Sequence, residues 1–419
     1  MGFLKWLLSV FQPAEAEPRF QADPEAAIAA LTETILLQPK GADGYYNRGT
    51  CYLNLGEFDR ALADLTEAIQ LDPNYARAYD NRGVGHAAKR EYDQAIADFS
   101  QAIRLDPKLA NAYRNRGAAY GEKGDHDRAI ADLTEAIRLN PQFADALSIR
   151  GTEWLAKGDV DAAIADLTEA IRLDRNAVRA YGNRGMAYVR KGDFDRAIAD
   201  CTQAIRGDPN DAEPYLQRAI AYGEKKEHDQ AIADCTQAIR LQPGLAEAYC
   251  WRGANLVDKG GYAEPIVDLT EAIRLNPNLA AAFLFRGMAY SKNGFAHNLP
   301  AELDRAIADY NEAIRLDPQN ATAYQRRGIA YGGKLNHDQA IADSTQALCL
   351  DPKNVGAYFC RGVARKNKQA YDQAIADFTQ AIALEPNGIF YRLRAATYRA
   401  LGKEAEAAGD ERKAQELKK

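Results

Sequence analysis

The feature that most constrains this chain of 419 residues is a period of 34 residues. Its clearest copy is ANAYRNRGAAYGEKGDHDRAIADLTEAIRLNPQF, Ala110 to Phe143. Near-copies begin at Ala42, Ala76, Ala144, Val178, Ala212, Ala246, Ala280, Ala321 and Val355. A unit of that size cannot bury its own apolar face, so stacked neighbours must supply the core. Inside the unit, Tyr113, Gly117 and Tyr120 share one helical stripe, and Ala129, Ile130, Leu133, Ala136 and Ile137 share another. Between them Lys123-Gly124-Asp125 offers a turn and a helix cap, and Pro141 stops the second helix. Each period therefore predicts one helical hairpin, with Gly117, Ala129 and Ala136 small where its helices touch.

This pattern of small and aromatic residues closing on Pro resembles the tetratricopeptide repeat. The resemblance covers most of the chain and implies an all-α fold. That fold is an α-solenoid of antiparallel helix hairpins stacked into a right-handed superhelix, its first helices lining the concave side. The expected layout is a leader and linker at 1–22, a capping half-repeat at 23–41, and ten tandem repeats at 42–387. A partial repeat with a polar capping helix fills 388–419. One continuous body is expected, because each repeat contacts mainly its neighbours.

Irregularities are few. Pro265 replaces a small Ala in the second helix of the seventh repeat, so that helix should start late or bend. The eighth repeat carries seven extra residues near 295–302, between its two helices, where a surface loop is expected. Arg175 stands where the fourth repeat should close on Pro.

Net charge of -6 with mixed signs argues against nucleic acid, since phosphate neutralisation needs clustered Lys and Arg. The six cysteines form no CxxC pair, and Cys201 and Cys235 occupy the core slot of Leu133, which suits buried thiols in a reducing, cytoplasmic setting. His126, His228 and His337 share the slot of Phe58, Tyr92 and Phe194 and read as packing residues, with no metal spacing. No nucleophile with a base, no GxGxxG and no phosphate loop is present, so neither catalysis nor a cofactor is expected. FLKWLLSVFQ, residues 3–12, is amphipathic. Three readings stand: a cover for the half-repeat, an interfacial membrane anchor, or an export signal.

One column departs from the family pattern. Arg precedes the repeat Gly where Leu is usual, and every such Arg has an Asp in the second helix: Arg48 with Asp64, Arg82 with Asp98, Arg116 with Asp132, Arg184 with Asp200, Arg286 with Asp309. The half-repeat lacks both, with Ala30 at the Asp slot, which favours pairing within a repeat. The expected role is to set hairpin register; the alternative is an Arg column that takes acidic ligands.

The residue before that Arg is Asn47, Asn81, Asn115, Asn183 and Gln217 in five repeats. The column is similar to the asparagine ladder of O-GlcNAc transferase, whose amides grip an extended peptide; the alternative is bonding to neighbouring segments. Further along, the same wall turns apolar with Trp251, Leu284, Phe285 and Phe359. These residues are the candidate peptide-binding set, for a protein or peptide partner. The family's carboxylate clamp is absent, because its places hold Tyr46 with Thr50, Asp80 with Val84, and Leu284 with Met288.

Overall fold

The computed structural model describes residues 24–417. The stretch 3–12, with its cap, membrane and export readings, lies outside the described residues. Among the described residues there are 23 helices, from Pro24–Leu37 to Glu404–Glu416, and no strand. No described helix is long and apolar enough to cross a membrane. The chain divides into two compact units, one ending at Pro209 and the other beginning at Asn210.

The model repeat shows why each period folds as it does. Its helices are Ala110–Glu122 and His126–Leu139. Gly124 between them has φ +78°, a left-handed turn that Gly adopts at no steric cost. Asp125 then caps the second helix, its carboxylate accepting the Arg128 N–H at 3.2 Å. The helices meet where side chains are smallest. A Cβ on Gly117 would stand 2.9 Å from Leu133 and 3.1 Å from the Ala129 carbonyl, closer than packed atoms tolerate. Ala129, Leu133 and Ala136 are fully buried at that seam. Within each unit, hairpins stack so that a second helix touches the first helix of the next hairpin. Within each unit successive first helices also touch one another, as Ala246–Asp258 touches Ala280–His297, so that each unit has a wall of first helices.

The irregular sites resolve differently. With Pro265, the second helix of the seventh repeat starts at Ala263, one position late, so the proline falls in the first turn, whose N–H groups lack helical partners anyway. Arg175 changes little: the preceding helix still ends at Leu173, and Asp174 accepts the Asn176 N–H at 2.8 Å, as Asp72 accepts that of Asn74 at 3.0 Å. The extra residues of the eighth repeat do not form the expected surface loop. They lengthen both helices, to Ala280–His297 with 18 residues and Pro300–Leu316 with 17. The first helix runs through Asn293-Gly294, where the missing Cβ admits Leu303, and ends at Asn298, which takes a left-handed φ of 54°; Pro300 opens the second. Leu303 then buries against Gly294, and Phe295 lies over Gly333 of the next repeat.

Candidate functional site

Each Arg of the departing column makes a two-pronged bond to the Asp of its own hairpin. Arg48 reaches Asp64 through Nε at 2.7 Å and Nη2 at 2.8 Å, and Arg286 reaches Asp309 at 2.8 and 2.7 Å across the lengthened hairpin. The same fork joins Arg82 to Asp98, Arg116 to Asp132, Arg184 to Asp200 and Arg394 to Asp410. The remaining Nη1 donates to a hydroxyl on the second helix of the preceding hairpin: Arg48 to Thr32 at 3.0 Å, Arg116 to Ser100 at 3.0 Å, Arg252 to Thr236 at 3.2 Å. Except at Arg150, where Leu147 holds that place, the guanidinium also lies over the ring three residues before it, 5.4 Å from the Tyr79 centroid for Arg82. In the ninth repeat the acceptor is an amide instead, Arg327 Nη1 donating to Asn311 Oδ1 at 2.7 Å. Two carboxylate oxygens, a third acceptor and in most repeats a ring leave little of these guanidinium groups to offer a ligand. The Arg286 pKa is raised by the Asp309 bond, whereas the Asp309 carboxyl is pushed up because burial outweighs the pull of Arg286. The desolvated Asp depends on its Arg, as expected of a half-buried pair.

The hydroxyl link was readable and missed: Thr or Ser recurs 16 residues before the Arg, as Thr32, Thr66, Ser100 and Thr134. A second missed set binds the outer turns. Lys89 pairs with Asp59 at 2.8 Å, and Lys157 with Asp127 and Lys191 with Asp161 at 2.5 Å, each reaching back to the preceding hairpin. These pairs are exposed and add little stability.

The amide column is spent inside the first unit. Asn81 is fully buried and donates to Thr50 Oγ1 at 2.8 Å, on the preceding first helix. Asn115, also fully buried, donates to Asp80 at 3.0 Å and accepts from Arg114 at 2.8 Å. Asn183 donates to Thr152 at 2.8 Å, and Asn47 is buried. In the second unit Gln217 is buried and bonds Glu213 at 2.6 Å. The expectation that these amides present a ladder to a peptide is therefore corrected for Asn81 and Asn115: neighbouring first helices pack so closely that each amide lies between them. Around this network burial raises the Asp80 pKa to about 7, despite the Asn115 bond and the nearby Arg114 charge. Arg114 is itself buried, with Asp145 at 3.3 Å.

The apolar stretch of the second unit is different. Trp251 and Phe285 are partly exposed, their rings 6.5 Å apart and tilted by 48°. Phe359 is partly exposed beside Phe390 at 5.6 Å. Leu284 is buried in the core of its hairpin and belongs to the packing. Cys235 and Cys250 are buried, their thiols pushed up to about 12, which makes them chemically quiet.

Hairpins too small to stand alone, each pinned by its own forked ion pair and stacked on its neighbours within each unit, define a helical-repeat interaction scaffold rather than a closed domain. Models described as tetratricopeptide repeat match residues 42–75 and 110–143, 150–212 and 183–246, and 355–387, and one described as TPR repeat matches 86–124 and 302–334. The chain belongs to the tetratricopeptide repeat family. Among solved structures it is similar to the Cut9–Hcn1 hetero-tetramer of the APC/C, at 15% identity over 99% of this chain and 93% of that one, with a TM-score of 0.57. It is also similar to the human IFIT1 dimer, at 15% identity over 81% and 90% of the two chains, with a TM-score of 0.50. At such identity the likeness concerns the fold. No curated protein matches the sequence.

Proposed function

We propose that the protein is a non-catalytic scaffold that binds an extended segment of a protein partner along the first helices of its second unit. Trp251 and Phe285 take an apolar anchor of that segment. The observation that carries this reading is the partly exposed Trp251–Phe285 ring pair on the first helices of the second unit, at repeat positions where the first unit buries Asn81 and Asn115. Trp is among the residues most enriched at the energetic centres of protein interfaces. The Arg column sets hairpin register, because its charges are bonded on both sides.

The test is selection of a displayed random-peptide library on the full chain, followed by titration of the best peptide. Trp251→Ala with Phe285→Ala should weaken binding at least about tenfold, the loss of one good anchor, while helical circular dichroism stays unchanged. Equal affinity in the variant, or lost helicity, would defeat the proposal.

A further inference from the structure

Three repeats place a histidine at the start of the second helix, 16 residues into the hairpin: His126, His228 and His337. In two of them the residue 27 positions later, on the first helix of the next hairpin, reaches back to the ring. His126 Nδ1 meets Glu153 Oε2 at 2.7 Å, and His228 Nδ1 meets Asn255 Oδ1 at 2.9 Å. A glycine makes room for that oxygen-bearing group. A Cβ on Gly121 would collide with Glu153, and one on Gly223 would stand 3.1 Å from the Asn255 amide. The notch between glycine and histidine thus holds a carboxylate or a carboxamide.

In the ninth repeat the notch is built but unfilled. The corresponding later residue is Ala364, which is too short to reach the ring. His337 Nδ1 is buried with no hydrogen-bond partner, and a Cβ on Gly332 would meet nothing within 4 Å. A cavity of about 170 Å³ opens there, with Phe295, Ile329, Phe359 and Val363 as its apolar walls. Phe295 belongs to the extra turn of Ala280–His297, so the lengthened hairpin closes one side. A buried donor without an acceptor costs about 1–3 kcal/mol, and an apolar space of roughly 150 Å³ accommodates a benzene ring.

We propose that this cavity is a binding site for a small apolar carboxylic acid or its amide. The ligand's oxygen takes the place that Glu153 and Asn255 fill beside the other two histidines, accepting the His337 Nδ1–H, and its ring-sized body lies among the four apolar walls. The site stands apart from the Trp251–Phe285 pair and does not depend on the partner reading.

The probes are benzoate, benzamide and toluene, titrated into the full chain by calorimetry and ligand-observed NMR. Benzoate and benzamide should bind saturably, at least about tenfold more tightly than toluene, as expected for one regained buried hydrogen bond. Ala364→Glu should supply the missing partner in cis, as in the Glu153 arrangement, and abolish binding without lowering Tm. His337→Phe, which places in this repeat the residue found at Phe58 and Phe194, should erase the preference for benzamide over toluene. The proposal is overturned if toluene matches benzamide in the wild type, if no probe saturates, or if Ala364→Glu binds as the wild type does. Should Ala364→Glu misfold, His337→Phe alone decides: a retained preference for benzamide refutes the site.

Discussion

The first helices around Asn81 and those around Trp251 occupy equivalent places in the repeat and are packed in different ways. In the first unit Asn81, Asp80, Asn115 and Arg114 are buried and bonded across neighbouring helices, so polarity there is spent on holding the stack together. In the second unit the same column carries Trp251 and Phe285, whose rings remain partly open. Polarity of a side chain is thus a poor guide to its availability. An amide bonded to the adjacent hairpin is structural, whereas the Trp251 indole, packed along one side against Leu216 and Ala248, keeps part of its surface uncovered.

Both regions rest on the same Arg–Asp forks, and breaking those gives the largest expected effect. Asp132→Leu in the first unit and Asp309→Leu in the second should each cost about 3–5 kcal/mol, because each leaves a half-buried guanidinium uncompensated. Adding Arg286→Leu to Asp309→Leu should recover much of the loss. Urea denaturation checks both; equal losses for single and double variants would mean the pair is not coupled.

Next in size is a pH effect peculiar to the first unit. The folded pKa of Asp80, about 7, lies above the value of roughly 4 for an unfolded chain. Between those values the folded protein holds a proton that the unfolded chain has released. That stabilisation is complete below about pH 4 and is gone once the pH passes about 7. Asp80→Asn, neutral throughout, should therefore raise stability by on the order of 1–3 kcal/mol at pH 8 and leave it nearly unchanged near pH 4. Thermal melts at the two pH values would show it, and a gain at acid pH alone would refute the assignment.

Asn81→Ala sharpens the contrast further. It should cost about 1–2 kcal/mol through loss of the buried bond that the Thr50 hydroxyl accepts, yet leave affinity for a selected peptide untouched. Trp251→Ala should do the reverse, weakening binding with little loss of helicity. The smallest effect belongs to the exposed outer pairs: Lys157→Met should leave the denaturation midpoint where it is, since surface ion pairs contribute little.

Much of this architecture is readable from residue order because its causes are local. Apolar stripes, the turn at Gly124, the cap at Asp125 and the 16-residue separation of Arg116 from Asp132 all lie within one hairpin. What escapes is whatever depends on the distance between hairpins. The burial of Asn81 follows from how closely two first helices approach, and the third bond of the column, from Arg116 to Ser100 or from Arg327 to Asn311, likewise crosses between hairpins. The lengthened eighth hairpin runs against its local signal, since Asn293-Gly294 marks a turn, yet the helix continues through it and Gly294 gives Leu303 room to pack. The histidine notch had a signal too, in the shared 27-residue step from His126 to Glu153 and from His228 to Asn255. That signal becomes meaningful only once both residues are seen on touching helices.

The most direct measurement is hydrogen–deuterium exchange of the full chain with and without a selected peptide. Ligand-induced protection should fall on Ala246–Asp258 and Ala280–His297, which carry the open ring pair, and should leave Ala76–Ala88 and Ala110–Glu122 unchanged. Protection of those two earlier helices, with none around Trp251 and Phe285, would contradict the division of labour between the two units.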